Sequence, residues 1–365
     1  MAQVKKILII SLSGIGDLIL FTPALPLLRK RFPEEEISLL VKKKEAEQVI
    51  QGNPWIDKVI VFDPQRATLK ENFRFYVSMR KQKYDLSLTV FPAMTALNNL
   101  STLAIGARER WVYKTGNAVR SLDFLNNRHI PYRHGKHRIE YNLDMVQAVT
   151  GDQEPYPEDP QKLVYMHGYG QGDIPSDRSD QILQPLGINP ARPLIGIHAG
   201  SGGNQPFKRW GEEKFALLTD RIRQEFPFQV VVLGGPEEEG LARRIARRMK
   251  TGPPIVAGSC GLEETLALIS RCELLICNDS GVMNMAFALG TRILAIFGPT
   301  DDTCTRPMGK NDAYVVKELP CKPKCRTRYL YSKKCSLNYA CLRELSVDEV
   351  WKVAKKMLEF LKNQQ

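Results

Sequence analysis

Three glycine loops and one cysteine cluster hold the residue types that could do chemistry in this chain. Ser13-Gly14-Ile15-Gly16-Asp17 directly follows the apolar run Ile7-Leu8-Ile9-Ile10. Gly14 and Gly16 allow a tight turn and a close backbone approach to a ligand, and a helix behind them offers unpaired N–H groups. Asp17 stands close to where a phosphate would sit, and a carboxylate there repels a pyrophosphate. It reads either as a helix cap or as a general base facing a cleft. His198-Ala199-Gly200-Ser201-Gly202-Gly203 leads to Lys208-Arg209-Trp210. Its small residues expose successive N–H groups suited to phosphate, with charge from Lys208 and Arg209, and Trp210 reads as a packing anchor. In Asn278-Asp279-Ser280-Gly281 the Ser280 hydroxyl and the following N–H groups suit a phosphate at a helix N-terminus, with Asp279 as a cap. Cys321, Cys325, Cys335 and Cys341 place four thiols within 21 residues.

Each glycine loop needs a strand before it and a helix after it. Strand patterns at Lys6–Ser11, Ile37–Val41, Lys58–Phe62 and Leu86–Val90 alternate with helical stretches. The alternation restarts at Pro193–His198, Gln229–Leu233, Ile255-Val256, Leu274–Cys277 and Ile293–Phe297. Strands alternating with helices imply βαβ units and parallel sheets. The stretch 151–193 is rich in turn residues and is read as the linkage between two halves. At 365 residues the chain exceeds one compact domain. Two doubly wound α/β domains follow, with ligands at the C-terminal strand edges.

A hydrophobic fraction of 43% and a charged fraction of 25% are those of a globular chain. The run Ile7–Ile10 is too short for a membrane span and is followed by Ser11, Ser13, Gly14 and Asp17, so it reads as a buried strand. The net charge of +12 collects at Lys42–Lys44, 128–138, 243–250 and 322–334. It favours a solvated surface together with anionic ligands or an acidic membrane face, and no nucleic-acid-binding pattern accompanies it. Cys260, Cys272 and Cys277 lie in apolar context and read as inert. The later four cysteines suit a structural zinc, disulfides or a reduced set, and the neighbouring lysines, Lys322 among them, would favour thiolates.

The loops taken together resemble the bacterial ADP-heptose:lipopolysaccharide heptosyltransferases, glycosyltransferase family 9. The matching residues are Gly16-Asp17 with Thr22-Pro23-Ala24-Leu25, Lys208-Arg209-Trp210, Leu233-Gly234-Gly235-Pro236-Glu237-Glu238, Asp279-Ser280-Gly281, Ala286-Phe287-Ala288-Leu289-Gly290 and Phe297-Gly298-Pro299-Thr300. The resemblance implies a GT-B fold, two tandem Rossmann-like domains facing a central cleft. An acceptor-binding domain would span 1–180, a nucleotide-sugar-binding domain 181–345 and a closing helix 346–365. It implies an inverting transfer of heptose or a related sugar from an ADP-sugar to a lipopolysaccharide core or other lipid-linked saccharide. Asp17 would be the base and Lys208 would stabilise the diphosphate leaving group. Ser201, Gly202, Glu238 or Glu239, Cys260, Asp279, Ser280 and Gly281 would hold the donor. Asn284 stands where many members carry His. Gly14, Gly16, Arg133 and His137 fall on the acceptor side. No cofactor is required for the transfer, the structural zinc being a reading of the cysteine cluster alone, and the expected place is cytoplasmic, peripheral on the inner membrane face.

Two other readings differ in class. The Asn284 departure suggests a non-catalytic nucleotide-sugar binder. Ser13-Gly14-Ile15-Gly16 suggests a nicotinamide-dependent oxidoreductase, which requires an acid at the end of the second strand, where Val41-Lys42-Lys43 stands.

Overall fold

The computed structural model describes residues 4–115, 118–153, 155–156, 159–166, 176–189, 191–202, 205–252, 258, 260–322, 325 and 335–364. The chain divides into two compact units, Met1–His167 and Gly168–Gln365. The expected strand at Ile255-Val256 lies outside the described residues.

Unit one runs β1 (Lys6–Ser11), α1 (Ile15–Ile19), α2 (Leu25–Arg31), β2 (Glu36–Val41), α3 (Lys44–Ile50), β3 (Lys58–Val61), α4 (Leu69–Lys81) and β4 (Leu86–Thr89). It continues with α5 (Ala96–Ile105), β5 (Glu109–Lys114), α6 (Ala118–Ser121), β6 (Arg128–Pro131) and α7 (Arg138–Thr150). All strand pairs are parallel, in the order β3-β2-β1-β4-β5-β6. The central strands are apolar because both faces are covered: Ile7, Leu8, Ile9 and Ile10 of β1 have no exposed surface. The turn Thr22–Ala24, with Pro23 in it, separates α1 from α2. The basic stretch 128–138 contains the edge strand β6. Only Ile130 of its four residues is buried, so no apolar run announces it.

Unit two runs α8 (Ser176–Leu183), β7 (Leu194–His198), α9 (Glu212–Glu225), β8 (Gln229–Val232), α10 (Glu239–Arg248), α11 (Leu262–Arg271), β9 (Cys272–Asn278) and α12 (Gly281–Leu289). It closes with β10 (Arg292–Phe297), α13 (Asp302–Thr305), β11 (Ala313–Val316), α14 (Ala340–Arg343) and α15 (Val347–Asn363). Its parallel sheet has the order β11-β10-β9-β7-β8. The amphipathic α15 buries Val350, Trp351, Ala354, Leu358 and Leu361 in the same core as Phe215, Ile222 and Phe226 of unit two.

In each sheet the connections reverse direction at one place: between β1 and β4 in unit one, and between β7 and β9 in unit two. Loops leaving the C-terminal ends of those strands diverge and open a crevice for ligands. All three glycine loops leave these switch-point strands.

Candidate active site

At the unit-one switch point the chain leaves β1 and enters α1 through Gly14. The Gly14 N–H donates to Asp17 Oδ2 at 3.2 Å, and the Asp17 N–H donates to the Gly14 carbonyl at 3.0 Å. The other carboxylate oxygen, Oδ1, accepts from Arg138 Nη1. The Asp17 and Arg138 side chains are only 13% and 11% exposed. Salt screens such a pair less than a surface one. Capping and an ion pair therefore coexist in one side chain, because a carboxylate has lone pairs for both and for a further proton donor. Gly16 is buried within α1 and Gly14 is exposed at its cap.

Arg138 is the first residue of α7, and several groups fix where that helix begins. His137 is its N-cap: Nδ1 accepts from Ile139 N–H at 3.3 Å, and its own N–H donates to Glu140 Oε2 at 2.6 Å. One turn on, Asn142 accepts from Phe91 N–H at 2.9 Å and donates to the Leu20 carbonyl at 3.2 Å. A single buried amide thus ties α7 to the segments following both switch-point strands. The rings of Phe91 and Tyr141 stack at 4.2 Å beside it. His137, expected on the acceptor side, is buried and serves as a cap behind Arg138. Arg133 is exposed, and its carbonyl accepts from Tyr141 Oη. The other histidines of this stretch go to separate partners: His129 Nε2 to the Asp123 carbonyl at 3.1 Å, and His134 Nδ1 to Tyr132 Oη at 3.2 Å. Arg138 was not singled out from the sequence, since 121 residues separate it from Asp17.

At the unit-two switch point, Lys208 Nζ and Asp279 Oδ2 form a buried ion pair at 2.9 Å. Thr305 Oγ1 donates to Asp279 Oδ1 at 3.4 Å. Ser280, rather than Asp279, is the N-cap of α12, its Oγ accepting from Met283 N–H at 3.4 Å. The exposed Gly281 begins that helix, and Asn284 is buried one turn in. A lysine, a serine hydroxyl and a helix N-terminus thus gather at one strand end, which suits an anionic group.

Behind them lies a buried chain built on His198, a residue to which the sequence assigns no role. His198 Nε2 is 2.9 Å from Glu238 Oε2, and His198 Nδ1 is 3.4 Å from Ser280 Oγ. Burial works against ionisation of Glu238, but the His198 ring, the Gly235 N–H at 3.3 Å and the Arg209 charge overcome it and hold its carboxyl at about 2. A Cβ at position 200 would lie 1.6 Å from Glu238 Oε1, so any larger residue there must displace the Glu238 carboxylate. Glu239 instead points along α10 to Arg243 at 2.6 Å. Ser201 Oγ donates to the Gln205 carbonyl at 2.7 Å and accepts from Arg209 Nε at 3.3 Å, and Gly202 takes a positive φ of 77°. Asn278 joins the loops: its amide donates to the Ala199 carbonyl at 2.8 Å and its oxygen accepts from Trp210 N–H at 3.1 Å. Trp210 is the packing anchor expected of it, buried and donating through Nε1 to the Leu345 carbonyl at 2.9 Å. Cys260 is buried just before α11, and burial raises its thiol. Cys272 is pushed up to about 12 by burial.

Among the described residues, no disulfide joins any of the cysteines. Among the described residues, no three His, Cys, Asp or Glu side chains come together as a group able to hold a metal ion. Burial pushes the Cys341 thiol up to about 11, opposed by Lys322 and aided by Cys325 and Cys335. Lys322 was expected to serve the thiolates, yet its ammonium is fully buried. It donates to the Gly298 and Thr300 carbonyls at 2.9 Å each and pairs with Asp302 at 3.1 Å. Its main task is to hold the Gly298-Pro299-Thr300 turn after β10. The acid that a nicotinamide site would need after β2 is absent from that position: Lys42 follows Val41 and lies 3.8 Å from Asp63.

The family model described as glycosyltransferase family 9 (heptosyltransferase) matches residues 73–334. Lipopolysaccharide heptosyltransferase 3 of Escherichia coli K12 is 26% identical over 309 residues, covering 81% of this chain and 83% of its own. Lipooligosaccharide heptosyltransferase 2 of Haemophilus ducreyi is 28% identical over 318 residues, covering 84% and 86%. Among solved structures, the E. coli ADP-heptose lipopolysaccharide heptosyltransferase II superposes with a TM-score of 0.72 at 20% identity, over 99% of this chain and 100% of that one. The shared fold is the GT-B pair of parallel α/β units.

Proposed function

Because the chain belongs to glycosyltransferase family 9, the heptosyltransferases, we propose that it transfers heptose from ADP-heptose to a lipopolysaccharide core or another lipid-linked saccharide, with inversion. The observation that carries this reading is the pairing of chemistry with topology. A carboxylate, Asp17, stands at the switch point of unit one, and a lysine, Lys208, with a capped helix N-terminus at that of unit two. Unit one takes the acceptor and unit two the ADP-sugar.

In the transfer, an acceptor hydroxyl oxygen forms the new bond to the anomeric carbon, and its proton passes to the Asp17 carboxylate. The bond from that carbon to the β-phosphate oxygen breaks, and ADP leaves with the electron pair. Arg138 and the Gly14 N–H orient Asp17 for this proton transfer. Lys208, Ser280 and the first N–H groups of α12 neutralise the charge gathering on the departing diphosphate, where preorganised groups contribute most. Glu238, held ionised beside His198, accepts from donor hydroxyls, and the edge near Cys260 meets the base. Ser201, Gly202, Glu239 and Asn284 complete the donor side, and Arg133 the acceptor side. Binding of a lipid-linked acceptor brings the chain to the cytoplasmic membrane face. No cofactor enters this step.

The test is ADP release from ADP-heptose with core oligosaccharide acceptors. Asp17→Asn is expected to lose about 10²–10⁴-fold in kcat, the usual worth of a general base, while donor binding by calorimetry stays intact. Full turnover by that variant would remove Asp17 from the mechanism.

A further inference from the structure

Helix α4 carries apolar residues on two faces, one packed within its unit and the other exposed. Phe75 stacks on Phe62 with centroids 3.7 Å apart, and Tyr76 and Met79 face the sheet with it. On the outer face Leu69, Phe73 and Val77 recur every four residues and form one stripe, with Leu69 91% and Phe73 71% exposed. The neighbouring helix α5 extends this surface. Both helices follow strands of one parallel sheet, so they run side by side in the same direction. Tyr76 Oη lies 2.7 Å from Ser101 Oγ between them. Leu97 and Leu100 of α5 are exposed as well, and Phe124 beyond them is 58% exposed.

The charge around this surface names its partner. Lys70, Arg74 and Lys81 lie along α4 beside the apolar stripe at the same helical spacing, and all are exposed. Between residues 66 and 83 the chain holds Arg66, Lys70, Arg74, Arg80, Lys81 and Lys83 against one acid, Glu71. An apolar stripe flanked by a basic one is the pattern of helices that lie in an anionic membrane interface. Because α4 and α5 start at the C-terminal edge of the sheet, Leu69, Phe73 and Leu97 stand at the edge from which the Asp17 loop also leaves.

We infer that the outer face of α4 and α5 docks on an anionic phospholipid bilayer, with Leu69, Phe73, Val77, Leu97 and Leu100 in the interface and Lys70 and Arg74 on the lipid phosphates. The purpose of this surface rests on the reading of a lipid-linked acceptor, but the docking itself is measured without donor or acceptor. The experiment is co-sedimentation of the full chain with phosphatidylcholine vesicles, with and without phosphatidylglycerol. The chain partitions onto the phosphatidylglycerol vesicles and far less onto pure phosphatidylcholine. Phe73→Ser weakens partition about tenfold through lost apolar burial. Lys70→Glu with Arg74→Glu weakens it at least as much through charge. Circular dichroism of both variants matches the parent, since these side chains are exposed. Transfer to a water-soluble core oligosaccharide stays within about twofold of the parent, because neither variant touches bound sugar.

A chain that stays in the supernatant with anionic vesicles, or variants that partition like the parent, would overturn the inference. So would a dimer in sedimentation equilibrium that Phe73→Ser dissolves, since that assigns the face to a second copy. Vesicle binding without any glycosyl transfer would sink the enzymatic reading and leave the docking surface standing.

Discussion

Lys208 and Glu238 are both buried charges, and each persists because a neighbour compensates it. Lys208 lies against Asp279, so its removal leaves a buried carboxylate and, in the proposed transfer, takes the cation from the departing diphosphate. Lys208→Ala is expected to lower kcat by about 10²–10³-fold, the worth of one preorganised charge-stabilising group, and to destabilise the second unit in urea unfolding. Glu238 behaves differently with pH. Its folded value of about 2 lies below its ordinary 4.5, so its contribution is present above pH 4.5 and is lost as pH falls toward 2. That difference corresponds to on the order of 3 kcal/mol at neutral pH. Glu238→Gln should therefore unfold more easily than the parent at pH 7, and the gap should narrow by pH 3. An unchanging gap would place the group's contribution in packing rather than charge. Neither His198 nor Arg138 could be recognised from one sequence. Their partners lie 40 and 121 residues away, and only the folded chain brings them together.

At the scale of elements, what was legible followed from burial. The central strands have both faces covered and read as continuous apolar runs, so β1, β2, β7, β9 and β10 stood out. The edge strand β6 has one buried residue in four and merged into a basic stretch. The glycine loops were legible as strand-to-helix turns. Which side chain caps each turn was settled by backbone geometry, and Ser280 took the place expected of Asp279. The last helix, α15, shows how far an element from the end of the chain supports the site. Trp351 lies in the core under α9, and the nearby Leu345 carbonyl receives the Trp210 indole N–H. Trp351→Ala is expected to cost about 3–5 kcal/mol in chemical denaturation, as large aromatic deletions from a core do. Because Trp210 follows Lys208 so closely, donor affinity should fall in the same variant. Unchanged affinity would show that the Lys208 loop holds its shape without that support.

At the scale of the whole molecule, the two sheets keep to separate stretches of chain. Every strand of the first sheet ends by Pro131, and the second sheet begins at Leu194. Nothing in the first unit's hydrogen-bonded ladder waits for the second. On a ribosome, where chains emerge from the N-terminus, the first unit can close its sheet before the second is made. Chains stalled at Lys250 should already yield a protease-resistant fragment matching Met1–His167. Complete digestion of those stalled chains would mean that the first unit needs its partner to fold. Within each unit the order of synthesis matters as well: β1 must wait for β4, and β7 for β9, before either switch point exists. Each switch point thus exists only once the chain has doubled back across its own sheet, and the carboxylate at the first is made while the lysine at the second is still to come.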